Sequence, residues 1–399
     1  MSASILRTSP FEIHKKSVSS QQASGGLEPY SGPWNKATAS HLVRRTHFGI
    51  KVSDLNFVRS FDNAQAAVDE LISRAASEPL PDDPAWAKSG ASGNILDFYE
   101  LQLNWMDRMY NGGLLEKMML FWSNHFVVGY NSVSGKAEST YANHMNNYYK
   151  LLHADAFGNF KDFVNGVSIN TAMLYYLNGY VNDGRNISNG DFTDANQDFG
   201  RELLELFTMG IEDRNGNPNY TDSNTAPYGD IQHVAAACTG WRVNNSNFTP
   251  FFDDDAFYNG EKTIFGQTDN FDLQGVVDLI FNTKPNEVAW YICKKLYTFF
   301  VSAEPNETII GELADYFVQQ NFEITPTLSR LLSSAHFYDE VFYGSRIKSP
   351  VELYLGFLRE MEIAPNANLR EYMRINMPGI NQELLNPPNV AGWPGYNPP

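Results

Sequence analysis

Leu114 to Val128 reads LLEKMMLFWSNHFVV, with polar residues only at Glu116, Lys117, Ser123, Asn124 and His125. A helix written this way is apolar nearly all round, and such a helix sits inside a bundle with neighbours on every side. Working outward, helical spacing puts Phe98, Leu101, Trp105 and Met109 on one face of 94–110. It does the same for Val68, Leu71, Ile72 and Ala75 in a helix that Asn63 can cap. Further helical patterns cover 138–155, 171–180, 196–209, 230–241, 272–282, 286–302, 306–320, 325–334 and 350–362. The expected class is all-α, mainly a helical bundle. One segment breaks the rhythm. PFFDDDAFYNGEKTIFG (250–266) sets Asn259-Gly260 between two aromatic-bearing runs, which predicts a small inserted β-hairpin near 250–266. Residues 1–35, rich in Ser, Gln and Gly, read as a flexible arm, and 36–399 as a single large helical domain.

The 399 residues carry 29 Lys+Arg against 46 Asp+Glu, a formal charge of −17. Nucleic-acid affinity rests on cations neutralising phosphates, so this balance argues against nucleic acid as a general partner. Docking on an anionic membrane surface is disfavoured for the same reason. No run of 18 or more apolar residues is present, so no membrane span is expected. The opening MSASILRTSPFEIHKKSVSS lacks the apolar centre of a signal peptide, which makes a soluble, cytoplasmic protein the expectation. Cys238 and Cys293 are the only cysteines; they leave one bridge open and cannot supply a thiolate zinc site. The sequence has no GxSxG, HExxH, Walker A or GxGxxG, which lowers the odds of the enzyme classes those motifs serve.

One stretch is chemically loaded. In NQDFGRELLELFTMG (196–210), Phe199, Leu203, Leu206 and Phe207 form an apolar stripe, with Asp198, Glu202 and Glu205 along its edge and Arg201 beside them. Glu202 and Glu205 are three apart, so their carboxylates can approach one point and act as general acid and base, with Arg201 assisting, or hold a divalent cation. His233, at the fringe of the stripe on DIQHVAAACTGW (230–241), would join them if the two helices are neighbours. Such a Glu202–Glu205–His233 set suits Zn, Mn or Fe(II), and His125, on the core face of its helix, is a further candidate ligand. The plainer reading makes the glutamates solvated, or ties Arg201 to Glu205 in a structural ion pair, with His125 a hydrogen-bonded core residue. The loop DRNGNPNYTDSN (213–224) starts like a calcium loop at Asp213, Asn215 and Asn217. It has Pro218 where the turn needs glycine and Asn224 where a bidentate Glu belongs, so a true EF-hand is not expected, while a weaker oxygen-lined calcium site with Asp222 stays open.

HLVRRTHFG (41–49), LLEKMMLFWSNHF (114–126), LLHADAFGNFKDFV (151–164), AMLYYLNG (172–179), NQDFGRELLELFTMG (196–210), DIQHVAAACTGW (230–241), GEKTIFG (260–266) and NPPNVAGWPG (386–395) together resemble the bacterial family called domain of unknown function 1800. The resemblance implies a predominantly helical protein with no established activity. It further implies export to the periplasm or cell surface, against the leaderless opening, and a partner similar to alkaline-phosphatase-type or sulfatase-type proteins, or a glycan. Polysaccharide or sulfated substrates follow from the same resemblance. The family's acidic helix usually reads NENFARELLELFTLG; Arg201, Glu202 and Glu205 match it, whereas the place of His233 is more often acidic. Relatives continue past AGWPGYNPP into a further helical stretch, so a shortened C-terminus is expected.

Overall fold

The computed structural model describes residues 23, 25–88 and 93–393. It is mostly helical, with two small antiparallel two-stranded sheets. Asn35, Asn63, Asn94, Asn159, Asn170, Asn306 and Asn366 each cap a helix, the side-chain oxygen accepting backbone N–H groups of the first turn. A short side-chain oxygen satisfies donors that a helix start otherwise leaves bare. That gives seven of the 39 asparagines a shared structural purpose.

The Leu114–His125 helix occupies the centre, with every residue but Asn124 buried. Its polar residues are paired inside the fold. Glu116 accepts from Trp105 Nε1 at 2.7 Å, and Lys117 forms a fully buried ion pair with Glu352 of the Pro350–Glu360 helix. Trp122 packs against Phe126, Phe160 and Phe163 and donates from Nε1 to the Ala156 carbonyl at 3.0 Å. Among the described residues no helix is long and apolar enough to cross a membrane.

Two local details differ from the expected ones. Residues 1–22 and 24 of the expected arm lie outside the described residues, but from Gly25 the chain is docked. The N–H groups of Tyr30, Ala335 and His336 bond to the carbonyls of Ser333, Glu28 and Gly26, and Leu27 is buried. A few strand-like backbone bonds and one buried leucine outweigh the Ser/Gly composition. The hairpin is also placed differently, because Asn259-Gly260 turns no strand pair. Trp241–Asn244 pairs with Thr249–Phe252, and Lys262–Ile264 pairs with Gln267–Asp269. The second pair turns on Phe265 and Gly266, both at positive φ (50° and 74°). This second hairpin is anchored from below, since Asp230 Oδ1 accepts the Phe265 N–H at 2.7 Å.

Candidate active site

The acidic stretch is not one regular helix. Asp198–Glu202 is α-helical, and Leu203–Thr208 is a π-helix. The wider π turn, in which bonds run five residues back, places Thr208 Oγ1 on the Leu203 carbonyl and Met209 N–H on the Leu204 carbonyl. Single π turns of this kind recur at functional sites because they re-aim side chains within a helix. Gly210 ends the element at φ 77°, where its missing Cβ also leaves room for the Tyr291 ring.

The two glutamates have different surroundings. Glu205 Oε1 accepts from Tyr220 Oη at 2.6 Å and from Arg201 Nη1 at 3.2 Å. Arg201 also reaches Asp222 at 2.9 Å, and Asp222 accepts from Gln232 of the neighbouring helix at 2.7 Å. The structural ion pair is therefore present and continues into a network. Glu202 stands outside that network. Half-buried near Tyr176 and Tyr291, it has no hydrogen-bond donor among the described residues. Burial, with the Glu205 carboxylate adding to it, pushes the Glu202 carboxyl up to about 7. Burial and then the Glu202 charge push the Tyr176 phenol up to about 12.

The expected helix seam exists. Gly200 packs so close to the Asp230–Ala237 helix that a Cβ there would lie 3.0 Å from Ala235 N. His233 nevertheless does not join the glutamates. It lies against Phe192, with ring centroids 4.4 Å apart, and its Nδ1 accepts the Thr263 N–H at 3.2 Å. His125 is committed as well. Its Nε2–H donates to the Phe207 carbonyl at 3.1 Å, and its Nδ1 accepts from Lys295 Nζ at 3.0 Å. Among the described residues no three His, Cys, Asp or Glu side chains converge in a way that could hold a metal ion. The metal set Glu202, Glu205, His233 and His125 is thus not assembled, because both imidazoles are held by other donors and acceptors.

The remaining sequence candidates are resolved in the same way. Asp213 Oδ1 accepts the N–H groups of Asn215 and Asn217 at 2.7 and 2.9 Å, which closes the loop on itself as an Asx turn. The hydrogen bonds from Asn217 hold the Asp213 carboxyl down to about 2. Asp222 is engaged by Arg201 and Gln232, so the loop presents no calcium cage. Cys238 and Cys293 are both free and buried.

Sequence reasoning missed Tyr176, Tyr220, Tyr291 and Lys295. Lys295 lies beneath the π turn, donating to His125 and, at 3.4 Å, to the Leu206 carbonyl, with its ammonium 4.4 Å from the centre of the Tyr291 ring. Burial pushes its ammonium down to about 7. A signal existed, for Lys295 falls on the Val288–Tyr291–Ile292–Phe299 stripe of an otherwise apolar helix face.

A family model described as "Protein of unknown function (DUF1800)" matches residues 41–398. The chain belongs to that family. Neither a comparison with curated proteins nor one with solved structures returns a match.

Proposed function

We propose that this protein is a hydrolytic enzyme using acid–base catalysis by Glu202 and Glu205, on polysaccharide or sulfated substrates. The observation that carries the reading is the unequal treatment of two neighbouring carboxyl groups. A brace needs partners, and Glu205 has two, whereas Glu202 is half-buried without a donor and protonated in part near neutrality. A carboxyl group that keeps its proton beside a carboxylate fixed by two donors offers the proton a general acid must give. Both donors to Glu205 reach Oε1, which leaves Oε2 for a water molecule. In the cycle, Glu205 takes a proton from that water as its oxygen attacks the substrate. Glu202 gives its own proton to the departing oxygen, and proton return from Glu205 through solvent restores both. Arg201 fixes Glu205 in place and is a positioning residue.

The test is hydrolysis of chromogenic glycosides and sulfate esters by wild type and Glu202→Gln. Loss of about 100-fold or more in kcat with the fold intact supports the assignment; equal turnover by the variant refutes it.

One observation favours a second reading, a non-catalytic assembly protein. Leu353, Phe357 and Met361 are 59%, 57% and 60% exposed and form one stripe on the Pro350–Glu360 helix and its cap. Exposed apolar residues aligned on one helix face suit an interaction surface, and a phosphatase-like or sulfatase-like protein, or a glycan, is the partner this reading assigns. Partner capture that survives Glu202→Gln but is lost in Phe357→Glu supports it.

A further inference from the structure

Away from the acidic helix, two cavities adjoin. The first, about 350 Å³, is walled by the Lys36–Thr46 helix and by residues 343–348, and includes His41, Arg44, Arg45, Arg346 and Lys348. The second, about 260 Å³, includes Asn124, Phe299, Gln382 and Trp393 and shares Arg346 and Lys348 with the first. Four of the eleven residues around the first cavity are Lys or Arg, against 29 in the 399 of the chain. A basic cleft on a protein of net charge −17 needs a reason, because low-dielectric walls focus such charge on whatever enters.

Two carboxylates, Glu352 and Glu360, also line the cleft. Glu352 is shared between Lys117, which is fully buried behind it, and Arg346 at 3.5 Å. Glu360 meets Lys348 at 3.2 Å, with both side chains about 40% exposed, and an exposed pair of that kind is weak. His41, stacked on Tyr343 at 4.5 Å, adds no further charge, because burial and the guanidinium groups of Arg45 and Arg44 push its imidazole down to about 3.

The second cavity is built for a different part of a ligand. Phe299 already carries the Arg346 guanidinium on its face at 4.5 Å, and Trp393 supplies a second aromatic wall. Gln382 Oε1 and Asn124 Oδ1 are taken by the N–H groups of Val351 and Trp393, at 2.8 and 2.7 Å. Their NH2 groups are therefore the ends left for a ligand, and these are donors only. Gly392 permits this approach, since a Cβ at its φ of 89° would overlap Asn124.

We propose that the double cavity binds a sugar-sized molecule bearing a phosphate or sulfate ester, with the oxyanion among Arg44, Arg346 and Lys348 and the ring against Trp393. The charged half attracts the oxyanion, and the donor-rich aromatic half accepts a hydroxylated ring of a volume that about 260 Å³ can hold. This site is independent of Glu202 and stands or falls separately from the catalytic reading.

The experiment is isothermal titration calorimetry of the full chain with glucose 6-phosphate, glucose 6-sulfate, glucose and inorganic phosphate, at low and moderate salt. Arg44→Ser and Lys348→Gln are the test variants, because both residues are exposed and their replacement should leave the circular dichroism spectrum unchanged. An ester should bind, with affinity falling at least about fivefold in each variant and on adding salt, and glucose should not bind. The tighter of the two esters identifies the oxyanion. No binding of either ester, binding unmoved by both substitutions, or inorganic phosphate binding as tightly as glucose 6-phosphate would each overturn the proposal.

Discussion

Replacing Glu202 with glutamine separates a catalytic acid from a structural brace by the sign of the stability change. The ordinary carboxyl value for glutamate is 4.5, and in the fold burial pushes Glu202 up to about 7. Between those values the folded chain holds the proton more tightly than the unfolded chain, so stability falls as pH rises through the window and the full penalty is present above about pH 7. At about 1.4 kcal/mol per tenfold change in proton affinity, the whole difference would reach ~3 kcal/mol. Glu202 keeps part of its surface in water, and solvent screening reduces this to about 1–2 kcal/mol. Glu202→Gln carries no ionisable group and is nearly the same shape. It should therefore be more stable than wild type by about 1–2 kcal/mol at pH 8, with a smaller gap at pH 5.5. Urea denaturation at the two pH values measures this. Glu116, which burial pushes up to about 8, titrates in both proteins and cancels from the difference. A loss of stability in Glu202→Gln, or a gap that does not change with pH, would refute the reasoning and favour the brace.

Two further predictions follow from buried cations. Lys295→Met removes the donor to His125 and to the Leu206 carbonyl; leaving these unsatisfied should cost about 1–3 kcal/mol in chemical denaturation, and a neutral result would mean that Lys295 does not support the π turn. Glu352→Gln strips the carboxylate from the buried Lys117, for which a loss of about 3–5 kcal/mol is expected. The Lys117→Met, Glu352→Leu double variant should recover most of that loss, and a double variant as unstable as the single one would show that packing, not charge, sets the cost.

The central helix was legible because an all-round apolar pattern has few other solutions, and Glu116 and Lys117 fit it by pairing inside. The acidic residues were legible as a pair, and the Arg201–Glu205 ion pair was one of the alternatives their spacing allowed. The π turn was not, since a change from four to five residues in hydrogen-bond reach leaves no mark on apolar spacing. A small hairpin was legible in the sequence, but the place of its turn was not. Asn259-Gly260 is the stronger local signal, yet the turn falls at Phe265-Gly266, where Asp230 binds the Phe265 N–H and offsets the strain of a phenylalanine at positive φ. His233 was misread for the same reason, because Thr263, which holds its ring, belongs to that hairpin. Tyr176, Tyr220 and Tyr291 come from three distant segments, and only the fold brings them to the glutamates.

The account rests on a carboxyl group that keeps its proton near neutral pH at Glu202, and carbon-detected NMR titration of glutamate carboxyl groups reads this directly. The account predicts a resonance titrating near pH 7 that disappears in Glu202→Gln. A Glu202 resonance titrating near the ordinary value of 4.5 would contradict it.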